Sequence, residues 1–545
     1  MATIDLFASV ERDTILEVRR GKMKHMSGLK IESGIDKNLC KGAVWVGKQG
    51  IQEDEHDLTF HGGVDKAVHG YCKSHYPSWQ SEFPSAASRF VPGGFGENLV
   101  TAHMNERNVC IGDIYAIGTG DKSLMLQVSL PRQPCFKLNH RFQLKNFAPN
   151  TWKLSRTGWY YRVLREGPLQ TGDEIRLVER KWPEWTIERI QEYLHRDKDV
   201  LEINEALAAI PELGDESRKA FEGRVTRAKA KTEKKTEVKW TDYRVVGKKQ
   251  LTRRITSFDF EAVNSRTITD QKPDEGSHVK IKLPNGLVRA YSVVDGSAGR
   301  FQLGIALEER SRGGSKYLHQ NVNVGDTIQV DKFTPGIKFN AMASNHVFIV
   351  GGVGITAFLW LAETMMKINW SVQIHYALRS TEEMPFRERL ERFGDRLVVY
   401  DKMKSERLDV GNIVRSMPWN SQLYVCGPRR LMDETSRIVK EAVIGEGEVH
   451  FEAFEADVGG DPFEVEVEGK KGTLQVKEEE TLLEVLQREF GDIPSSCEVG
   501  NCGTCKVKVK CGKVEHRGTA LTAEEKKDSM LSCVSRGVGR IAIEI

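Results

Sequence analysis

Four cysteines, Cys497, Cys502, Cys505 and Cys533, follow the spacing C-x4-C-x2-C-x27-C. This constrains the fold more than any other feature. A single tight loop, 497-CEVGNCGTC-505, must bring three thiolates together while a distant segment supplies the fourth. The spacing matches the ligand set of a [2Fe–2S] cluster. Gly500 and Gly503 lack a Cβ and let the backbone approach the sulfides, and the amides of such a loop point at the cluster's negative charge. The alternatives are a zinc site or a coincidence of reduced cysteines. Zinc sites usually repeat the C-x2-C unit, and here only Cys502 and Cys505 form one. Cys511 lies outside the pattern and is expected to be structural. A cluster of this kind passes single electrons, so electrons must enter and leave the chain elsewhere.

Composition narrows the class. A length of 545 residues suggests about three to four domains at ~150 residues each. The 39% hydrophobic and 29% charged content is that of ordinary globular domains. A formal net charge of +3 implies no general affinity for nucleic acid. Ten cysteines in so long a chain do not form a secreted disulfide framework. The start, MATIDLFASVERD, lacks the basic and apolar regions of a signal peptide. The uncharged run from Val347 to Ala362 is interrupted by Gly351, Gly352 and Gly354 and falls short of the ~20 residues a membrane span needs. A cytoplasmic protein with no membrane partner is expected.

Two seams divide the chain. The stretch 226-TRAKAKTEKKTEVK-239 holds six basic and two acidic residues with almost no apolar content, as a solvated tether does. At 455-EADVGGDPF-463, Gly459, Gly460 and Pro462 break the pattern before a new strand.

Between the seams, the alternating stretches 278-HVKIKL-283 and 301-FQLGIAL-307 predict an antiparallel barrel. An arginine beside a Tyr-Ser pair (Arg289, Tyr291, Ser292) and a loop of Arg312, Gly313, Gly314 and Ser315 offer charge, amide donors and a hydroxyl. That set suits a flavin with a single phosphate, Tyr291 lying against the ring. Next, 347-VFIVGGVGITAFLWLAE-363 predicts strand, glycine turn and helix, with a pyrophosphate facing the helix N-terminus. The strand 422-QLYVCGP-428 follows.

These residues resemble the phthalate dioxygenase reductase family within the ferredoxin–NADP reductase superfamily, over about 240–545. The resemblance implies FMN at Arg289, Tyr291, Ser292 and Arg312 to Ser315. It implies NAD(P)H, with NADH favoured, at Gly351, Gly352 and Gly354, with Cys426 of the Cys-Gly-Pro element near the nicotinamide and Phe454 near the flavin. It also implies a plant-type [2Fe–2S] ferredoxin domain at the end. Ala357 stands where the family has a proline, which loosens a helix start and removes no ligand. Arg379 could meet a 2′-phosphate, whereas Glu382 or Glu383 could favour a free ribose.

The N-terminal third carries polar, glycine-bearing stretches: 61-HGGVDKAVHGY-71, 95-FGENL-99, 111-IGD-113, 130-LPRQPCFKLNHRF-142 and 156-RTGWYYRVLREG-167. Three separated basic clusters suggest an anionic ligand. Cys135 sits among Arg132, Lys137 and Arg141, surroundings that favour a thiolate, although a lone cysteine is more often buried and inert. Together these stretches resemble a MOSC domain, of the type found in bacterial reductases of N-hydroxylated bases, over about 1–225. The resemblance implies that the Cys135 thiolate coordinates molybdenum alongside the pterin dithiolene. It implies that His61, Gly63, Asp65, Lys66, Asn98, Arg132 and Arg156 hold the pterin and its phosphate. The run Ile187, Ile190, Tyr193 and Leu194 is helix-compatible and is expected to pack on the barrel.

The expected architecture is multidomain: a β-barrel MOSC domain (1–180), a small helical appendage (181–225), a linker (226–239), an antiparallel flavin-binding β-barrel (240–340), an α/β NAD(P)-binding domain (341–455) and an α+β, β-grasp ferredoxin domain (456–545). The resemblances imply an electron path from NAD(P)H through FMN and the [2Fe–2S] cluster to a molybdenum cofactor (molybdopterin), reducing N-hydroxylated small molecules such as hydroxylaminopurines and hydroxylamines to amines. Transfer within one chain and transfer across a homodimer both stay open. The alternative is a reductase feeding a separate oxygenase, with the MOSC domain as a cofactor-binding or sulfur-carrier module.

Overall fold

The computed structural model describes residues 8–59, 62–118, 120–231, 240–264, 273–308, 313–337, 339–454, 459–491, 493–495, 497–501, 503–518, 520–522 and 524–545. His61, Arg312, Cys502 and the 232–239 part of the expected tether lie outside them. The chain divides into two compact units meeting in sequence at 235/236, with the short segments 341–344 and 368–371 grouped with the first. Among the described residues no helix is long and apolar enough to cross a membrane.

The first unit is a barrel of β1 (Arg12–Arg20), β2 (Asn38–Leu39), β3 (Val68–Cys72), β4 (Leu99–Thr101), β5 (Ile114–Ile117), β6 (Leu124–Pro131), β7 (Trp159–Arg165) and β8 (Glu174–Glu179). The strand order is β8-β5-β6-β7-β3-β4-β1-β2, and pairing of β8 with β1 closes it. In β6, buried Leu124, Leu126 and Val128 alternate with half-buried Met125 and Gln127, the period-2 pattern of a strand, and from Val128 to Pro131 both faces are buried. After β6 comes α1 (Phe136–Phe142). The appendage forms α2 (Ile187–Gln191), a π-helical turn (Glu192–Arg196), α3 (Leu201–Ala208) and α4 (Asp215–Lys231). Ile187, Ile190, Leu207 and Phe221 join the same core as the barrel's Val128 and Tyr161, so the appendage packs on the barrel as expected.

Helix α4 continues through Lys231, so residues 226–231 are helical where a tether was expected. The reason is intrinsic propensity: Arg, Ala and Lys are strong helix formers. Local contacts add to it. Lys229 pairs with Glu205 at 2.8 Å, and Arg227 Nε donates to the Gly223 carbonyl at 3.0 Å.

The second unit begins with a closed antiparallel barrel: β9 (Thr241–Gln250), β10 (Ile255–Ala262), β11 (His278–Lys282), β12 (Val288–Gly296), β13 (Arg300–Ala306) and β14 (Thr327–Val330), in the order β9-β10-β13-β12-β11-β14. Helix α5 (Gly314–Asn321) lies between β13 and β14. A five-stranded sheet follows, made of β15 (Asn345–Gly351), β16 (Ser371–Leu378), β17 (Leu397–Asp401), β18 (Ser421–Cys426) and β19 (Val449–Glu452), in the order β17-β16-β15-β18-β19. The pairings β15–β18, β16–β17 and β18–β19 are parallel. Every residue of β15 is buried, as a central strand covered on both faces requires. Helices α6 (Ile355–Lys367) and α7 (Arg429–Glu441) follow β15 and β18. The strand order reverses between β15 and β18, the place where such sheets bind nucleotides.

The C-terminal domain pairs β20 (Phe463–Val467), β21 (Thr473–Val476), β22 (Lys506–Glu515), β23 (Ser529–Leu531) and β24 (Arg536–Glu544) in the order β21-β20-β24-β22-β23. Helix α8 (Leu482–Phe490) starts with a reciprocal capping box between Thr481 and Glu484. It buries Leu482, Val485 and Leu486 against Val465, Ile541 and Ile543. Each such side chain contributes about 1.5–3 kcal/mol.

Candidate functional site

In the C-terminal domain Cys497, Cys505 and Cys533 are buried. The sulfurs of Cys505 and Cys533 lie 3.2 Å apart. The amide of Asn501 donates to Cys497 Sγ at 3.3 Å. The Cys505 thiol, burial and the Cys497 thiol together push the Cys533 thiol up. Thiolates gathered this closely need positive charge among them, which iron ions supply. The three described cysteines therefore fit the cluster that the sequence spacing implies. Cys511 is exposed on β22.

The flavin motifs meet in the first barrel of this unit. Arg289, Tyr291 and Ser292 lie on β12, and Gly313, Gly314 and Ser315 lie at the start of α5. A Cβ on Gly314 would stand 2.7 Å from Arg289 Cγ; only glycine lets the loop close over the arginine stem. Burial pushes the Tyr291 phenol up to about 12, with Arg289 opposing, so the ring stays neutral. An arginine and a run of loop amides converging in this way fit a flavin phosphate.

The nucleotide elements interlock at the switch point. Val350 and Cys426 are paired in register across β15 and β18. A Cβ on Gly354 would stand 2.4 Å from the Cys426 carbonyl oxygen, so the glycine turn seats directly on the Cys-Gly-Pro element. Cys426 is 1% exposed, and burial followed by the charge of Glu452 holds its thiol well above the usual range. It is a neutral contact group, unsuited to act as a thiolate nucleophile. Arg379 is exposed, and Glu383 faces Arg253 at 4.0 Å.

One residue of this site escaped the sequence reading. Glu452 ends β19 in register with Cys426 and is buried. Its Oε1 accepts a hydrogen bond from Ser292 Oγ at 3.1 Å. Burial raises its carboxyl to about 8, with the Ser292 bond opposing. The signal was an acid closing the apolar strand 449-VHFE-452, where a surface charge gains nothing. Phe454 follows, 38% exposed.

In the first unit, Cys135 is half-buried between β6 and α1 and lines a pocket with Arg132, Asn98, His69, His56 and Lys37. Arg132 is 4% exposed. Its Nη2 donates to the Phe95 carbonyl at 3.3 Å, while Nη1 is buried without a hydrogen-bond partner among the described residues. His69 Nε2 is likewise buried and unbonded. Burial, followed by the neighbouring Arg132 charge, keeps that imidazole well below its usual range and neutral. Lys37 is different: Asp54 neutralises it through contacts of 2.5 and 2.6 Å, and the same carboxylate takes Asn98 Nδ2 at 2.8 Å. A buried guanidinium with an unused donor beside a thiol is costly alone and fits an anionic ligand. Of the residues expected to hold molybdopterin at this end, Arg132 carries the unused donor, and Asn98 and Cys135 line the same pocket.

The other expected residues do not line the pocket directly, although Lys66 lies over the ring of Tyr160, which does. Asp65 accepts two bonds from Arg162, at 2.9 and 2.6 Å. Lys66 pairs with Glu216. Arg156 pairs with Glu82 at 2.8 Å and lies over the Trp79 ring. Gly63 caps the turn before Val64. Gln191 of α2 went unnoticed in the sequence. Its Nε2 donates to the Arg132 carbonyl at 3.2 Å and to Thr157 Oγ1 at 2.7 Å, so the appendage braces the pocket loop.

An NAD(P)H-dependent electron-transfer reductase, with flavin, nicotinamide and [2Fe–2S] domains, is the class these sites define. Residues 57–176 match the MOSC domain, 185–228 the YiiM-like, 3-alpha helix domain, and 465–537 the 2Fe-2S iron-sulfur cluster binding domain. The chain is 34% identical to a "Reductase" of Gibberella moniliformis over 99% of this chain and 97% of that protein. It is 34% identical to the heme-dependent oxidative N-demethylase beta subunit of Ectopseudomonas mendocina over 55% of this chain and 96% of that protein. A solved phthalate dioxygenase reductase superposes with a TM-score of 0.45 at 23% identity, covering 56% of this chain and 98% of that one. The chain belongs to the family of the Gibberella reductase and is a MOSC domain fused to a phthalate dioxygenase reductase-like unit.

Proposed function

We propose that the MOSC domain holds a molybdenum cofactor at the Cys135 pocket and that the chain reduces N-hydroxylated small molecules to amines with electrons from NAD(P)H. The observation that carries this is Arg132, a buried cation whose Nη1 has no hydrogen-bond partner among the described residues, in the same pocket as Cys135. When bound, a molybdopterin supplies a two-electron metal centre able to accept oxygen from nitrogen. The chain's own groups hold and shield it. Cys135 Sγ would ligate the metal, and Arg132 Nη1 would meet the pterin's anionic part. His69, kept neutral, offers a hydrogen bond without adding charge. The overall reaction balances as R–NHOH + NADH + H⁺ → R–NH2 + NAD⁺ + H2O, with the N–O bond broken and two electrons drawn from the nicotinamide. The fusion supports this reading, because a covalent link raises the effective concentration of the cluster at the pocket. The substrate would be a free small molecule in the cytoplasm, with no nucleic-acid or membrane partner.

A second reading has its own support: the Ectopseudomonas relative is a subunit of a larger enzyme by its name. The reductase unit would then serve a separate oxygenase. Purified protein decides between them. Stoichiometric molybdenum and NADH oxidation driven by a hydroxylaminopurine, both lost in Cys135→Ala, are the expected results. Turnover that survives Cys135→Ala, or protein active without molybdenum, overturns the molybdenum reading.

A further inference from the structure

The cluster loop is tied to the flavin-binding body at two points that lie outside the expected cofactor ligands. The first is Asn501. Its amide donates to Cys497 Sγ at 3.3 Å, so its main chain belongs to the cluster's surroundings. Its side chain holds both backbone polar groups of one residue, Ala453. Nδ2 donates to the Ala453 carbonyl at 2.9 Å, and Oδ1 accepts from the Ala453 amide at 3.4 Å. Ala453 follows Glu452, which is bonded to Ser292 of the flavin motif. A continuous route of short contacts thus runs from Ser292 through Glu452, Ala453 and Asn501 to Cys497.

The second point is Lys280. It stands on β11 in register with Ala290, inside the Arg-Ala-Tyr-Ser stretch of β12. Its side chain is 12% exposed. Nζ donates to the Ser495 carbonyl at 2.6 Å and to Ser495 Oγ at 3.3 Å, with Glu498 Oε1 at 3.7 Å. Ser495 in turn donates to Glu498 Oε1 at 3.2 Å. One ammonium therefore fastens the segment that leads into Cys497.

We infer that Asn501 and Lys280 are positioning residues that dock the cluster loop onto the end of β19 and onto β11, the neighbour of the flavin-motif strand, and fix the distance for flavin-to-cluster electron transfer. Each transfer moves one electron, oxidising the reduced flavin by one equivalent and reducing one Fe(III) of the cluster to Fe(II). No bond in the chain is made or broken. Two anchors share the task because the loop is short and glycine-bearing, and a single hydrogen bond contributes little on its own. The inference rests on the reductase unit alone and stands whether or not molybdenum is present.

The test compares Asn501→Ala and Lys280→Met holoenzymes with the parent, by anaerobic rapid mixing with NADH and by amide hydrogen exchange. Flavin bleaching by NADH is expected to keep its rate. Electron arrival at the cluster should slow about tenfold, since the rate depends on how the two centres are held relative to one another. Exchange should rise in the peptides covering 449–454 and 493–501, a readout independent of turnover. The cluster's electron paramagnetic resonance signal and potential should be retained, which separates docking from cluster assembly. If Asn501→Ala loses the cluster, Lys280→Met decides the matter, since it touches the loop from another strand. Parental transfer rates and parental exchange in Lys280→Met would overturn the inference.

Discussion

Ser292 donates a hydrogen bond to Glu452 at 3.1 Å, joining the strand of the Arg-x-Tyr-Ser motif to the strand in register with Cys426. The serine thus serves two elements at once, and the glutamic acid beside it keeps its proton at neutral pH. Its raised value sets the sign of a pH effect. The folded carboxyl titrates near 8 and the unfolded one near 4.5, so the native state holds the extra proton between them. This group's contribution to stability therefore falls as pH rises through that window. The parent should lose on the order of a few kcal/mol between about pH 5 and pH 9 that Glu452→Gln does not lose. Denaturant midpoints at both pH values measure it; equal slopes for the two proteins mean that Glu452 ionises normally.

Gly314 and Arg289 make a second such pair. Gly314→Ala places a methyl 2.7 Å from Arg289 Cγ, so the arginine must swing out of the phosphate cradle. FMN affinity should drop about tenfold, which is ~1.4 kcal/mol, while the cluster spectrum is unchanged. Titration of the deflavinated protein with FMN checks it, and unchanged affinity would place the phosphate elsewhere.

Arg132→Met removes a buried cation with an unused donor and replaces it by a side chain of similar reach. Because an unpaired buried charge is costly, the variant without cofactor should be as stable as the parent or more so, by about 1 kcal/mol or more, yet hold less molybdenum. Thermal unfolding and metal content on the same samples give both numbers. A variant with full molybdenum content shows that Arg132 does not hold the cofactor.

Gln191→Leu leaves the Arg132 carbonyl and the Thr157 hydroxyl without their donor. The cost should be about 1–3 kcal/mol, with faster amide exchange in the 132–135 loop and slower turnover of an N-hydroxylated substrate. Exchange at parental rates would show that the loop is held without the appendage.

Much of the electron route was legible before any coordinates. The cluster cysteines, Arg289 to Ser292, Gly313 to Ser315 and the Gly351–Gly354 turn are local patterns, and a local pattern encodes the backbone shape that its ligand needs. The tether was misread over 226–231 because its charges announced solvation, whereas Arg, Ala and Lys also favour a helix, and both hold on an exposed face.

Asp65, Lys66 and Arg156 are held by partners that the sequence does not point to. Their side chains are engaged by Arg162, Glu216 and Glu82, none of them a neighbour in sequence. No spacing rule reports such pairings.

The sequence by itself determined which cofactors the reductase unit takes and in what order its domains run, because ligand spacing and glycine placement are properties of short segments. Only the tertiary structure decided which side chains are left with unused hydrogen-bonding capacity, as at Arg132, and which hold one element against another, as Glu452, Gln191, Lys280 and Asn501 do. Burial and partner choice depend on residues far apart in the chain, and folding alone brings them together.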